Sequence, residues 1–206
     1  IELDCAQFRF PNVLVLNDVC QSFDTIKNSE FDHGDCIFFS FGPTKYITAG
    51  MGGAFSIINT NKYFNNLLSY DGLSSPLSDL NLILLQNQIS EYDTFIKKRK
   101  QIANLYIENL KKDLTTEVAL HNSSFYRFPI VQKSYEFEII QKIYSENLIS
   151  VRRGVDHLIH RGLGISDDLF PNSVKSFNQT LSIPIYPSIS DNDLNKIISV
   201  TKKIFS

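Results

Sequence analysis

The chain has 206 residues, of which 43% are hydrophobic and 20% charged, and its formal net charge is −2 at pH 7. This composition excludes an intrinsically disordered chain, and the near balance of charge gives no basic footprint for nucleic acid. Its apolar runs are the length of strands and too short to cross a membrane. The chain starts at Ile1 without an initiator methionine or a signal-peptide pattern. We therefore expect either a processed chain or a piece of a longer protein.

Cysteine and histidine usage predicts neither a disulfide framework nor a metal site. The three cysteines, Cys5, Cys20 and Cys36, form no C-x-x-C pair. We interpret them as small apolar residues in a reducing cytoplasm. The four histidines have none of the spacings that bind metal ions.

Three apolar stretches predict strands in the first part of the chain. They cover residues 13–16, 36–39 and 54–58, and a short helix is predicted over 60–68. Unbroken apolar strands of this length are typical of a parallel sheet that is buried on both faces.

Residues 78–112 predict one long helix, because apolar residues recur there at steps of three and four. These residues are Leu85, Ile89, Tyr92, Ile96, Ala103, Tyr106 and Leu110. Arg99 lies on the same face, where its charge needs a partner or a route to water. We interpret it either as an arginine whose guanidinium reaches solvent or as a functional residue.

The remaining sequence predicts a compact α+β unit. Strands are expected over 125–131 and 148–151, and helices over 135–146 and 191–204, the last one N-capped by Ser190. Residues 154–178 are polar and irregular in pattern, which predicts a long loop. We place a domain boundary near residue 112, which gives predicted domains 1–112 and 113–206.

Polar residues at the predicted strand ends indicate a cofactor site. Asp18 follows the first strand, Ser40 ends the second, and Lys45 comes five residues later after a Gly-Pro turn. In open α/β sheets, ligands bind beyond the carboxyl ends of the strands. Each feature alone has an ordinary structural explanation. Asp18 could belong to a turn, Lys45 could be a solvated surface residue, and the glycines of residues 50–53 could form a plain loop. Together they suit pyridoxal phosphate, which is held by a lysine Schiff base and needs an acid at its ring nitrogen.

Several segments, in the same order along the chain, carry a family resemblance. They are residues 17–22, 39–45, 50–54, 97–106, 169–173 and 181–187. With these segments the chain closely resembles the DegT/DnrJ/StrS family of sugar aminotransferases, which are fold-type I enzymes dependent on pyridoxal 5'-phosphate. The resemblance extends over almost the whole chain.

The resemblance implies an α/β fold. We expect part of the fold-type I large domain, with a mostly parallel sheet, joined by the long helix to a C-terminal α+β small domain. Family members are longer, so the N-terminal half of the large domain and its phosphate-binding loop are expected to be missing. The family also implies a homodimer, or here an association with that missing half.

The resemblance assigns roles to individual residues. Lys45 would form the Schiff base with the cofactor and act as the acid and base of transamination. Asp18 would pair with the pyridine nitrogen, Gln21 would lie beside the ring, and Ser40 would bind the phosphate. His160 would lie at the mouth where the sugar binds, or else serve as a structural histidine.

Departures from the family pattern leave two hypotheses. The family's Asn-x-Arg segment corresponds to Ser74 and Pro76 here, and Met51 stands where an acidic residue is frequent. In the first hypothesis the chain is the C-terminal portion of an aminotransferase that moves an amino group from glutamate to a nucleotide-linked keto sugar. In the second it is a truncated or degenerate member without catalysis, acting as an assembly or binding module.

Overall fold

The computed structural model describes residues 13–21, 34–58, 76–115, 124–133 and 135–206. The chain divides into two compact units, Ile1–Phe95 and Ile96–Ser206. The division falls within a long helix, and the predicted functional domains, 1–112 and 113–206, stay a prediction. The helix predicted over 60–68 lies outside the described residues.

The first unit contains a three-stranded sheet. Its strands are β1 (Leu16–Asp18), β2 (Cys36–Ser40) and β3 (Gly53–Ile57), in the order β1-β2-β3. β1 and β2 are parallel, and Asp18 lies opposite Phe38. β2 and β3 are antiparallel, and Ser40 lies opposite Gly53.

The first strand differs from its prediction in position and in burial. The apolar residues 13–15 precede the strand, and Asp18 is its last residue rather than part of the following turn. Leu16 is 55% exposed. The expectation of burial on both faces is therefore wrong for β1, because Leu16 and Asp18 on one face are exposed and Asn17 on the other is half-buried. β1 also forms the edge of the sheet in the described part of the chain.

The predicted long helix is two helices, α1 (Asp79–Ser90) and α2 (Tyr92–Asn109), followed by the short α3 (Lys112–Thr115). Ser78 caps α1, since its Oγ accepts the Asn81 N–H at 3.3 Å. Glu91 interrupts the helix, because its backbone N–H bonds to the carbonyl of Ile89 instead of the carbonyl four residues back. Ile89 is 49% exposed, so the expected continuous apolar face is broken at this point.

The second unit contains an antiparallel sheet in the order β4-β6-β5. Its strands are β4 (Phe128–Val131), β5 (Arg152–Arg153) and β6 (Thr180–Ile183). Its longer helices include α4 (Phe137–Glu146) and the final helix (Asp191–Ile204). Alternate strand residues enter the core, and helix residues cover them. The buried residues include Phe128, Ile130, Leu181, Ile183, Ile140, Tyr144, Leu194 and Ile197.

Several predicted elements of the second unit need correction. Leu148 is not in a strand: its φ is 59° and it lies in the turn after α4, so the strand near it is Arg152–Arg153. Residues 154–178, predicted as a loop, form α5 (Ile159–Gly162), a 3₁₀ turn (Asp167–Leu169) and α6 (Pro171–Gln179). The final helix, α7 (Asp191–Ile204), is confirmed, and Ser190 caps it as predicted.

Arg99 is buried on α2, and the interpretation that its guanidinium reaches solvent is wrong. Its Nη1 donates to the backbone carbonyls of Ile185 at 2.7 Å and Phe125 at 3.1 Å, and more weakly to that of Tyr126 at 3.4 Å. These carbonyl dipoles take the place of water around the charge.

No helix in the part of the chain that the structure describes has the length and hydrophobicity to cross a membrane.

Candidate functional site

The carboxyl ends of β1 and β2 meet at one edge of the first sheet. Asp18 ends β1 and Ser40 ends β2, and because the strands are parallel both residues lie at the same edge. Lys45 lies in the segment that follows β2 directly. The structure therefore brings the predicted aspartate, serine and lysine to the same side of the sheet.

The Asp18 carboxylate is held by the turn that follows it. The backbone N–H of Cys20 donates to Asp18 Oδ1 at 2.9 Å, and Val19 bonds to the carbonyl of Phe38 on β2. The pKa of Asp18 is lowered, mainly by the Cys20 side chain and backbone N–H and also by the positive charge of Lys45. Asp18 is thus an anion at neutral pH, and Lys45 is near enough to favour that charge.

Cys20 stays a neutral thiol in this environment. Partial burial, and then the neighbouring Asp18 carboxylate, raise the pKa of Cys20 to about 11. Its Sγ lies 3.7 Å from the carbonyl oxygen of Phe38, which it contacts as a donor. The side chain therefore ties the turn after β1 to the neighbouring strand.

Lys45 is half-buried in a tight loop. Its backbone N–H donates to the Gly42 carbonyl at 3.1 Å, which closes the turn that begins with Gly42-Pro43. The next two residues, Tyr46 and Ile47, are buried. The backbone that carries the lysine is thus anchored immediately after it.

Ser40 and Lys45 border the same space beside Gly42. A Cβ on Gly42 would lie 3.6 Å from Ser40 Oγ and 4.0 Å from Lys45 Cγ. Ser40 Oγ also accepts the Gly42 N–H at 3.4 Å, a bond that does not use the hydroxyl hydrogen. Gln21 is exposed in the turn after β1.

The glycine cluster permits close backbone packing around β3. Gly52 has φ of 85°, and a Cβ on it would lie 2.3 Å from the Leu77 side chain. A Cβ on Gly53 would lie 2.4 Å from the carbonyl oxygen of Phe39. These positions need glycine for packing, so this part of the cluster has a structural reason.

His160 belongs to the second unit. It is buried, its Nε2 lies 2.9 Å from Asp167 Oδ1, and its ring stacks on Phe170 with centroids 4.6 Å apart. The pKa of Asp167 is lowered to about 2, first by the guanidinium of Arg161 and then by His160. His160 lines a groove of about 890 Å³ with Arg127 and Phe170 among its other walls. Its proposed sugar contact stays a prediction.

Three residues that contact the candidate site were not predicted. Cys20 contacts Asp18, and two side chains of α1, Asn81 and Gln88, bond to the loop after Lys45. The available signal was that both α1 residues are polar within a helix rich in leucine and isoleucine.

No group of three or more His, Cys, Asp or Glu side chains suited to a metal ion occurs among the described residues.

The side chains at this sheet edge fit pyridoxal phosphate. Asp18 would supply an anion for a protonated ring nitrogen, Lys45 an amine for a Schiff base, and Ser40 a hydroxyl hydrogen for a phosphate oxygen. The lowered pKa of Asp18 suits this assignment, because the carboxylate must stay charged to hold a protonated ring.

Comparison with known proteins identifies a family. The family described as the DegT/DnrJ/EryC1/StrS aminotransferase family matches residues 11–202. The spore coat polysaccharide biosynthesis protein SpsC of Bacillus subtilis is 25% identical over an alignment 211 positions long that covers 83% of this chain and 54% of SpsC. An uncharacterized protein of Methanocaldococcus jannaschii is 24% identical over an alignment 210 positions long that covers 84% of this chain and 54% of that protein. The chain spans about half the length of these curated relatives.

Solved structures share the fold. The aminotransferase TlmJ of Streptoalloteichus hindustanus superposes with a TM-score of 0.75 at 16% identity, covering 97% of this chain and 59% of TlmJ. PseC of Helicobacter pylori, an aminotransferase involved in the biosynthesis of pseudoaminic acid, superposes with a TM-score of 0.74 at 15% identity. It covers 98% of this chain and 61% of PseC. The expected partial fold-type I architecture is confirmed.

Proposed function

Because the chain belongs to the DegT/DnrJ/EryC1/StrS aminotransferase family, we propose that it contributes the lysine-bearing portion of a sugar aminotransferase. The observation that carries the proposal is the placement of Asp18 and Ser40 at one sheet edge with Lys45 in the loop directly after β2. The influence of Lys45 on the pKa of Asp18 supports it, since the two charges then act in one site.

Aminotransferases of this family use pyridoxal 5'-phosphate. When bound, this cofactor supplies an electrophilic carbon and an electron-accepting ring. Asp18 would hold the ring nitrogen in its protonated form through its negative charge. Ser40 would donate its hydroxyl hydrogen to the phosphate, and Gln21 would lie beside the ring.

Lys45 has two tasks in this proposal. Its Nζ would be the group that holds the cofactor covalently, and the same nitrogen would accept and return the proton that moves between substrate atoms. The anchored loop around Lys45 keeps its backbone fixed while the side chain moves. Asp18 keeps its charge throughout, because its lowered pKa leaves it ionised at neutral pH.

The substrates are proposed by class. The amino donor is an amino acid, glutamate, and the acceptor is a keto sugar linked to a nucleotide. The roles printed for SpsC, in spore coat polysaccharide biosynthesis, and for PseC, in pseudoaminic acid biosynthesis, support a sugar acceptor. His160, on the wall of its groove, would contact the sugar.

The test is cofactor attachment at Lys45. We expect the chain mixed with pyridoxal 5'-phosphate to develop a visible absorption band, and borohydride to fix the cofactor covalently on Lys45, identified by mass spectrometry. Glutamate should then change the band, and a nucleotide-linked keto sugar should restore it. Lys45→Ala should abolish the band, whereas Lys97→Ala, which removes an exposed lysine of α2, should retain it.

Two outcomes would reject parts of this proposal. An unchanged band in Lys45→Ala would refute the lysine assignment. A wild-type chain that is folded by circular dichroism but forms no band would refute the enzyme function for this chain. That result would favour the alternative, a truncated or degenerate member that acts as an assembly or binding module.

We also propose that the chain works in an assembly in the cytoplasm, as a homodimer or with a segment that supplies the rest of the large domain. Several apolar side chains of α1 are exposed, which supports a partner surface there. They are Leu80, Leu82, Ile83, Leu84 and Ile89. Sedimentation should show a dimer that Leu80→Glu weakens; a monodisperse wild-type monomer would contradict the homodimer.

A further inference from the structure

The loop that carries Lys45 is closed at its base by hydrogen bonds. The Ala49 N–H donates to the Phe41 carbonyl at 3.0 Å, and Thr48 Oγ1 donates to the same carbonyl at 3.2 Å. Thr48 Oγ1 also accepts the Gly50 N–H at 2.9 Å. Residues 41–49 therefore form a short closed loop with Lys45 at its middle.

Two side chains of α1 bind the base of this loop. Gln88 Oε1 accepts the backbone N–H of Thr48 at 2.8 Å, and Asn81 Nδ2 donates to the carbonyl of Ala49. Asn81 and Gln88 lie seven residues apart, two turns of helix, so both face the loop from one side of α1. Each of these hydrogen bonds joins a helix side chain to the backbone of the loop.

We propose that Asn81 and Gln88 are positioning residues that hold the loop backbone so that Lys45 presents its amine toward the edge where Asp18 and Ser40 lie. The inference rests on the proposed function for the identity of the group that Lys45 attacks. The hydrogen bonds of Asn81 and Gln88 to the loop, called tethers below, do not depend on any cofactor.

Loss of the hydrogen bond to Thr48 would affect Lys45, because the segment between these two residues is short and packed. Only Tyr46 and Ile47 separate Lys45 from Thr48, and both are buried. The Tyr46 ring also meets the Tyr92 ring edge to face, with centroids 6.5 Å apart. A displacement of Thr48 is therefore passed to Lys45 rather than absorbed by a flexible linker.

The experiment compares Gln88→Ala with Gln86→Ala, which removes an exposed glutamine of the same helix. Gln88→Glu keeps an oxygen that can accept the Thr48 N–H and serves as the rescue variant. Asn81→Ala tests the second tether. Three quantities are measured: amide hydrogen exchange at Thr48, reductive methylation of Lys45 by formaldehyde, and the rate at which pyridoxal 5'-phosphate becomes trapped on Lys45 by borohydride.

We expect Gln88→Ala to accelerate exchange at Thr48 by about tenfold, the effect of losing one well-formed hydrogen bond. Methylation of Lys45 should become faster because the lysine is freer, while cofactor trapping should become slower because the amine is misplaced. Gln86→Ala should match wild type, and Gln88→Glu should restore most of each rate. Opposite changes in the two lysine reactions separate lost positioning from general loosening, which would accelerate both.

The result that would overturn the inference is unchanged exchange at Thr48, or unchanged trapping with accelerated exchange. If the wild-type chain traps no cofactor, the proposed function fails. The tether is then decided by exchange and methylation alone: increases in both for Gln88→Ala that Gln88→Glu reverses support it, and a wild-type value of either one rejects it.

Discussion

Replacement of buried Arg99 by methionine should destabilise the second unit strongly. Methionine keeps the unbranched apolar stem but removes the guanidinium that binds three backbone carbonyls. Those carbonyls belong to residues 125, 126 and 185, far from Arg99 in sequence. The side chain therefore joins α2 to two separate segments of the same unit.

The magnitude follows from the bond lengths. The bonds to Ile185 at 2.7 Å and to Phe125 at 3.1 Å have good geometry, whereas the one to Tyr126 at 3.4 Å is long. A hydrogen bond to a charged group contributes about 1.5–3 kcal/mol, and an orphaned buried acceptor costs a similar amount. Two strong bonds predict a loss of about 3–5 kcal/mol in the free energy of unfolding. Phe125 has φ of 53°, so the same bond also holds a backbone conformation that side chains disfavour.

The assay is urea unfolding followed by tyrosine fluorescence, which suits a chain with nine tyrosines and no tryptophan. Arg99→Lys should fall between wild type and Arg99→Met, because an ammonium reaches fewer carbonyls. Lys97→Met, at an exposed position on the same helix, should change the free energy by less than about 0.5 kcal/mol. A loss below about 1 kcal/mol for Arg99→Met, with an unchanged urea slope, would refute the reasoning.

Two further predictions concern pH and glycine. Burial raises the pKa of Tyr144 to about 12, so its neutral form contributes stability that is fully present below pH 10 and is lost as pH rises through 12. Urea midpoints measured between pH 9 and 12 should fall less steeply in Tyr144→Phe, and an identical slope would contradict this. Gly53→Ala should cost about 1–3 kcal/mol, because its Cβ would lie 2.4 Å from the Phe39 carbonyl oxygen. Gly162→Ala, with open space around it, is the matched control, and equal stabilities of the two variants would count against the packing argument.

Elements set by local signals were predictable from the sequence. The helix Asp191–Ile204 begins at its N-cap Ser190 as predicted, because a serine cap followed by an apolar period is a local pattern. The break at Glu91 has no such signal, since no glycine or proline stands there. Pro171 at the first position of α6 was an available signal in the segment predicted as a loop.

Elements set by distant partners were not predictable in the same way. Arg152–Arg153 is a strand only because it pairs with β6, and two arginines have no strand pattern of their own. Arg99 was correctly placed on the apolar face of its helix, but its three carbonyl partners lie 26 to 86 residues away. The periodicity locates such a charge without revealing what compensates it.

The candidate site also has one part that could be predicted from the sequence and one part that depends on distant contacts. Asp18 and Ser40 could be placed together because the ends of neighbouring parallel strands share an edge, which is a consequence of topology alone. The Lys45 loop depends instead on contacts from α1, 32 and 40 residues distant from the groups they bind.

This difference has a functional consequence. The pairing of β1 with β2 fixes Asp18, and the pairing of β2 with β3 fixes Ser40, so a change in α1 should leave both in place while it moves the backbone of Lys45. Loss of cofactor attachment with an intact sheet is then the expected signature of a weakened α1. In the assembly proposed above, a partner that covers the exposed apolar side chains of α1 would restrain α1 and with it the loop. Assembly and lysine positioning would be linked through one helix.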